Sequence, residues 1–255
     1  MPPNDRARRN HDELFPRHVS TLARTDPELV EVFQNFAFDE ILEHGSLDPR
    51  RRLMVQLASM IACGALSEFR VMAEAALTAG VSPVELKEIV YQAVPYAGMA
   101  RVCDFLHSTN DLLTERGIDL PLPSQSTSSP ADRMERGLEV QKRVLGDDAV
   151  DRMYASAPDD ERYIQRYMTG NGFGDHIGRS GIDLPTRELL TFAMLVSLGG
   201  CEPQVKGHVA GNLNVGNDRA MLLSVLTQLV PFIGYPRVLN GLRALDEAAP
   251  PQTES

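Results

Sequence analysis

Apolar residues recur at three- and four-residue spacings along most of the chain, and turn-forming residues interrupt them at intervals. This period predicts amphipathic helices. A helical stretch is expected over 13–44, with Leu22, Leu29, Val30, Phe33, Phe36 and Ile41 as its apolar positions. Inside it, Asp26 and Pro27 start a second helix by a cap followed by proline in the first turn. Asp48-Pro49 repeats that signal and opens a helix over 49–63, with Leu53, Leu57, Met60 and Ile61 on one side. A helix over 67–79 follows, closed by Gly80. Ser82-Pro83-Val84-Glu85 is a capping box that opens a helix carrying Leu86, Ile89, Val90 and Ala93. Pro95 and Gly98 divide it from a helix ending near Arg116. Helical patterning resumes at Arg133, runs to about Met168, and returns in the helices that end near Glu247. No segment alternates as a strand does, so the fold class is all-α.

Three stretches depart from this pattern. Residues 119–131, D-L-P-L-P-S-Q-S-T-S-S-P-A, are rich in Pro and Ser and read as a linker between units at 13–118 and 132–248. Thr169–Gly181 is glycine-rich and reads as a loop; no strand precedes it, so it is poor ground for a phosphate site. The first eleven residues carry basic side chains but no apolar core, which suits a frayed tail and not a secretory signal. The closing A-A-P-P-Q-T-E-S reads as an unstructured tail.

The chain also repeats itself. The shift that carries Pro95 onto Pro231 aligns its two halves without a gap. Asp39, Ile41 and Gly45 then meet Asp175, Ile177 and Gly181; Pro49, Arg51 and Leu53 meet Pro185, Arg187 and Leu189. Gln92, Val94, Pro95, Gly98 and Arg101 meet Gln228, Val230, Pro231, Gly234 and Arg237. Caps and core match together, which implies one helical fold used twice about a pseudo-twofold axis. Polar positions match less well: Glu68 meets Gln204, Met72 meets His208, Tyr96 meets Phe232 and Ala65 meets Cys201.

Composition narrows the function. A formal net charge of -10 argues against nucleic acid as a partner, and no apolar run is long enough to span a bilayer. Three cysteines, Cys63, Cys103 and Cys201, form no metal-type spacing and suit free thiols in a reducing, cytoplasmic setting. The remaining histidines have no companions at ligand spacing, so no metal and no cofactor is expected. The candidate chemistry lies in 197–216. After Gly199 and Gly200, Glu202 and Pro203 are expected to start a helix that Gly216 ends. Cys201, Gln204 and His208 fall on one stripe of it.

These residues resemble the carboxymuconolactone decarboxylase family in a tandem-fused form. The second half carries R-G-L-E-V-Q-K-R-V-L-G-D-D-A-V-D-R (136–152), F-G-D-H-I-G-R-S-G-I (173–182), T-R-E-L-L-T (186–191), G-H-V-A-G-N-L-N-V-G (207–216) and Q-L-V-P-F-I-G-Y-P (228–236). The first half keeps G-V-S-P-V-E-L-K-E-I-V (80–90) and Y-A-G (96–98). The resemblance implies two alkylhydroperoxidase D-like helical domains, a homo-oligomer, with a trimer favoured, and cofactor-free chemistry on a small organic acid or lactone. It implies His208 as the catalytic residue. Members usually have Glu where Gln204 stands and Tyr where Phe232 stands, whereas the first half keeps Glu68 and Tyr96 but has Met72 in place of the His.

Two enzymatic readings follow, beside a non-catalytic binding protein with decayed sites. In the first, a decarboxylase or isomerase of a small unsaturated lactone acid uses His208 as general acid or base, because imidazole titrates near neutrality. Glu68 and Tyr96 are expected to join His208 and Gln204 in one composite pocket. Arg51 or Arg187 is the candidate clamp for a substrate carboxylate, against a structural salt bridge for either. His176 and Asp175 are placed near the pocket by the resemblance. In the second reading, Cys201 acts as a peroxidatic thiol, activated by the helix start and His208, in a thiol-dependent hydroperoxide reductase with peroxiredoxin activity. It lacks a partner cysteine at position 204.

Overall fold

The computed structural model describes residues 3–16, 18 and 20–251. Residues 252–255 of the expected tail lie outside them. Fourteen α-helices, and no strand, occur among the described residues. In order they are α1 (Asp5–Leu14), α2 (Leu22–Thr25), α3 (Pro27–Phe38), α4 (Pro49–Cys63), α5 (Leu66–Thr78), α6 (Pro83–Ala97), α7 (Met99–Glu115), α8 (Arg133–Leu145), α9 (Asp147–Ser156), α10 (Arg162–Tyr167), α11 (Leu184–Leu198), α12 (Glu202–Asn214), α13 (Arg219–Ile233) and α14 (Tyr235–Ala248). A 3-10 turn spans Glu40–His44 and a π-helix spans Met168–Ile177. None of the helices is long and apolar enough to cross a membrane.

Two of the caps read from sequence do their work. Asp48 and Ser82 accept the backbone N–H three residues on, and Glu85 returns the bond to the Ser82 amide; Asp26 holds the N-cap position of α3 without a side-chain bond, and Asp183, not expected from the sequence, caps α11. The repeat is visible in the elements: moved back by the Pro231-to-Pro95 interval, α11, α12 and α13 fall on α4, α5 and α6 with bounds that agree to the nearest neighbour. The two central helices, α4 and α11, pack on each other, and each is buried almost all round from Leu53 to Ala62 and from Thr186 to Ser197. A helix apolar on every side needs neighbours on every side. Each half therefore supplies part of the other's core, and one contiguous cluster holds Leu57, Ile61 and Phe69 together with Phe192, Val196 and Leu229. Ser59 and Ser197, buried between the central helices, bond each other at 2.7 Å.

Three expectations are corrected. The N-terminus is not frayed from residue 4 onward: Asn4 caps α1 by accepting from the Ala7 amide, and Ala7, Leu14 and Phe15 are buried. Cys201, not Glu202, occupies the N-cap position of α12. The glycine-rich stretch is not a loop but the π-helix, and its glycines permit close packing. A Cβ on Gly137 of α8 would run into the Thr169 carbonyl oxygen, and one on Gly174 would run into the Arg133 carbonyl oxygen. The two backbones touch where glycines remove the side chains. The 119–131 segment is docked: the Ser180 amide donates to the Gln125 carbonyl at 2.9 Å, and Thr127 and Ser128 donate to the carbonyls of Gly178 and Gly174.

Gly137→Ala should therefore cost about 1–3 kcal/mol, because the overlap is with backbone and cannot be relieved by a rotamer change. Gly172→Ala, whose Cβ meets only the Met168 side chain at 3.9 Å, should stay within about 0.5 kcal/mol. Urea denaturation of both variants checks the contrast; equal losses would contradict it.

Candidate functional site

Glu188 sits one turn into α11 with its side chain fully buried, where an ionised carboxylate is costly by several kcal/mol unless paired. Its partner is His208 of α12. The His208 Nδ1 lies 2.8 Å from Glu188 Oε2, and the imidazole keeps 12% of its side-chain surface exposed. An ionised carboxylate only accepts, so Nδ1 carries the proton and Nε2 presents its lone pair. Two neighbours hold this pair. Asn212 donates to the backbone carbonyls of His208 and Glu188 at 2.7 and 3.1 Å. Gly211 leaves room for the carboxylate, since a Cβ there would stand 2.9 Å from Glu188 Oε2. Glu188 Oε1 is buried without a hydrogen-bond partner.

Across the imidazole stands Tyr96, supplied by α6 of the other half, its ring edge-on to His208 at 6.0 Å between centroids. The Tyr96 hydroxyl accepts from Thr191 Oγ1 at 3.1 Å. Thr191 in turn accepts from Gln92 Nε2 at 3.0 Å. Burial first, and the nearby Glu188 carboxylate second, push the Tyr96 phenol well above its ordinary range. It is thus a neutral hydroxyl that, having accepted from Thr191, retains its own proton to donate. On its other side Tyr96 packs with Phe173 and Ile177 of the π-helix and Val144 of α8.

The composite arrangement expected from the repeat is thus present for Tyr96 and His208, but the carboxylate differs. Glu68, on α5, is exposed and accepts from its neighbour Ser67; within the chain the carboxylate beside His208 is Glu188. Gln204 lies one turn before His208 and faces solvent. Arg187 is not available to a ligand. It is fully buried, and its guanidinium is spent on Glu88 Oε2, Gln92 Oε1 and the carbonyls of Ile182 and Arg179. Arg51 is half-exposed at the start of α4, 3.9 Å from Asp48. Asp175 is held by Arg133 and Asn171. The His176 Nδ1 lies 3.1 Å from the Tyr91 carbonyl, and burial pushes its pKa down.

The surroundings of Cys201 do not favour the thiolate. Its Sγ donates to the Leu195 carbonyl at 3.2 Å, and burial, with the adjacent Glu202 carboxylate, pushes the thiol up. Cys63 is also pushed up by burial, despite Arg237 3.3 Å from its sulfur. The residue that sequence reasoning missed is Glu188. Its signal was there: a carboxylate one turn inside a helix that continues Leu189, Leu190, Phe192, Ala193, Met194, Leu195. The counterpart site in the first half lacks every polar member of this set, with Arg52 at the position of Glu188, Met72 at that of His208 and Phe232 at that of Tyr96. Phe33 packs edge-on against Phe232 there, 5.9 Å between centroids.

The carboxymuconolactone decarboxylase family matches the chain twice, at residues 27–111 and 163–247, two segments offset by the same interval as the internal repeat. A curated relative, the 4-carboxymuconolactone decarboxylase of Acinetobacter baylyi, is 29% identical over 104 residues, which cover 41% of this chain and 77% of that protein.

Tyr96 gives a pH test. Its folded-state pKa stands above the unfolded value of ~10, so its proton is held longer in the folded chain. Below that pH it contributes no pH dependence to stability; as pH rises past it, stability should fall. Tyr96→Phe should make the decline between about pH 9 and pH 11 shallower, read as the difference in urea midpoint between wild type and variant. Parallel declines would show that Tyr96 ionises as freely folded as unfolded.

Proposed function

The chain belongs to the carboxymuconolactone decarboxylase family, and from that premise we propose that it is a cofactor-free decarboxylase or isomerase of a small unsaturated lactone acid, with 4-carboxymuconolactone the first substrate to test. The observation that carries this reading is the Glu188–His208 pair, buried on the carboxylate side and open on the imidazole side, with a neutral Tyr96 against the ring.

The chemistry fits those groups. The bond between the ring carbon and the carboxylate breaks, its electron pair passes into the conjugated lactone, CO2 leaves, and a dienolate remains. The dienolate oxygen needs a donor as charge develops, and Tyr96, whose hydroxyl proton is uncommitted, is of the type required. Carbon must then take one proton. His208 delivers it from Nε2 as the imidazolium and recovers it from solvent; the Glu188 carboxylate offsets the imidazolium charge and fixes the ring. An isomerase would use the same imidazole first as base and then as acid. The counterpart positions, Arg52, Met72 and Phe232, offer no such acid, base or hydroxyl, so one crossing of the two halves carries this chemistry.

The reading includes the two units at 13–118 and 132–248, and a homo-oligomer, with a trimer as the expected form. Apolar side chains left exposed on α3, Leu29 and Val32, and on α10, Tyr163, Ile164 and Tyr167, support association.

The test is turnover of 4-carboxymuconolactone, followed by CO2 release. Glu188→Gln and His208→Asn should each lower kcat by about 100-fold or more, and the double variant should lose little beyond either single one, because the two residues act as a unit. Cys201→Ser should keep most of the activity. Full activity in His208→Asn would overturn the assignment. Hydroperoxide reduction that vanishes in Cys201→Ser would replace it with the thiol reading.

A further inference from the structure

A cavity away from the imidazole lies beneath the docked 119–131 segment. It measures about 510 Å³ and lies between α6 and the Leu120–Gln125 run, with Asn110 of α7 and Arg179 at its sides. One wall is apolar, formed by Val84, Leu120, Pro121, Leu122 and Pro123. The opposite side carries Lys87, which is only 8% exposed. The Lys87 ammonium donates to Asn110 Oδ1 at 2.5 Å and stands 5.3 Å from the centre of the Tyr91 ring. Among the described residues no carboxylate pairs with it. The one carboxylate in the cavity, Glu88, is already committed: Arg179 donates to both its oxygens at 2.8–3.0 Å, and Arg187 donates to Oε2 at 2.8 Å. Arg179 also stacks over the Tyr91 ring at 5.1 Å.

The charge count is uneven. Arg179 and Arg187 bring two positive charges to the single negative charge of Glu88, and Lys87 adds a third to the lining of the same cavity, in a chain whose formal net charge is -10. Burial of a lone ammonium is costly, and here it lowers the Lys87 pKa with no opposing carboxylate. Charge density of this sign is absent from the chain's average and is built at a concave, half-apolar place. Gly181 is part of the construction: a Cβ there would come within 2.6 Å of the Glu88 side chain, 3.0 Å of Val84 and 3.2 Å of Gln125, so glycine lets the 174–181 segment close the back of the cavity. A buried cation without a counter-charge, facing an apolar wall across a cavity, matches the two ends of an amphipathic anion.

We propose that this cavity is a binding site for a small monocarboxylate with an apolar body, its carboxylate on Lys87 and Asn110 and its hydrocarbon against the Leu120–Pro123 wall. The site is separate from His208 and stands whether or not the decarboxylase reading holds. Lys87 supplies the charge, Asn110 positions the ammonium and supplies an amide N–H donor, and the Tyr91 ring holds the cation in place.

The experiment is calorimetric titration of the full chain with octanoate, and with octan-1-ol as the uncharged analogue of the same length. Octanoate should bind at one saturable site per chain, about tenfold or more tighter than octan-1-ol, as a charge-assisted contact requires. Lys87→Met, which removes the charge but keeps the stem, should weaken octanoate by about tenfold or more and leave octan-1-ol unchanged. Lys87→Arg should restore most of the preference. His208→Asn should bind octanoate as the wild type does, which separates this cavity from the imidazole site. Equal affinity for acid and alcohol, no saturable binding, or an unchanged preference in Lys87→Met would overturn the proposal. The wild-type comparison of acid and alcohol decides it even if a variant folds poorly.

Discussion

The packing of α4 against α11 is the constraint on which the rest of the molecule depends. Each of these helices is apolar or small on nearly every face, and each is the other's equivalent under the internal repeat. Neither half has enough helices to cover its own central element. Burial of the two against each other therefore makes a single core from both repeats, with leucines, isoleucines and phenylalanines that are each worth about 1.5–3 kcal/mol when removed from water. The consequence for function is direct. Helix α6 of the first half extends to the α11 surface of the second, where Gln92 donates to Arg187 and Thr191 and Tyr96 stands over His208. In the reverse direction, Gln228 of α13 donates to the Ile41 carbonyl and Phe232 reaches Phe33.

That exchange made it possible for one fold to carry two unlike sites. At one crossing the side chains are Glu188, His208 and Tyr96; at the other they are Arg52, Met72 and Phe232. The scaffold is duplicated, and the polar set is not. A buried carboxylate is destabilising unless its charge is answered, and where Met72 stands in place of the imidazole no carboxylate stands at the matching position. Aromatic packing by Phe33 and Phe232 then fills space in place of a polar pair.

Polar groups elsewhere in the interior form one continuous chain along α6 and α11. Glu88 holds Arg179 and Arg187, Arg187 donates to Gln92, Gln92 donates to Thr191, and Thr191 donates to Tyr96. Each link in that series joins a buried donor to an acceptor, which is what makes such a network tolerable in a low-dielectric interior. It fixes the rotamer of Tyr96 from behind. It also explains why Arg187, which on sequence grounds resembled a substrate clamp, is structural: it is fully buried, and its guanidinium donates to Glu88, Gln92 and two backbone carbonyls.

By itself the sequence determined the all-α class, the helix starts at Asp48 and Ser82, the gapless internal repeat, and the choice of His208 and Tyr96 as candidates for one composite site. These are local or periodic properties: a cap needs only the next three residues, and a repeat is visible as self-similarity. Tertiary structure decided which carboxylate meets the imidazole. Glu68 occupies a family-like position on its own helix, but the crossing of α11 and α12 brings Glu188 to Nδ1, a pairing across two helices that depends on Gly211 leaving a space. It also decided that the glycine-rich stretch is a helix. Glycine in a sequence signals freedom and close approach alike, and only the position of α8 against the π-helix shows that close approach was the need. The surroundings of the Cys201 thiol were decided the same way: position at a helix start does not say where the sulfur points, and this one donates to the Leu195 carbonyl.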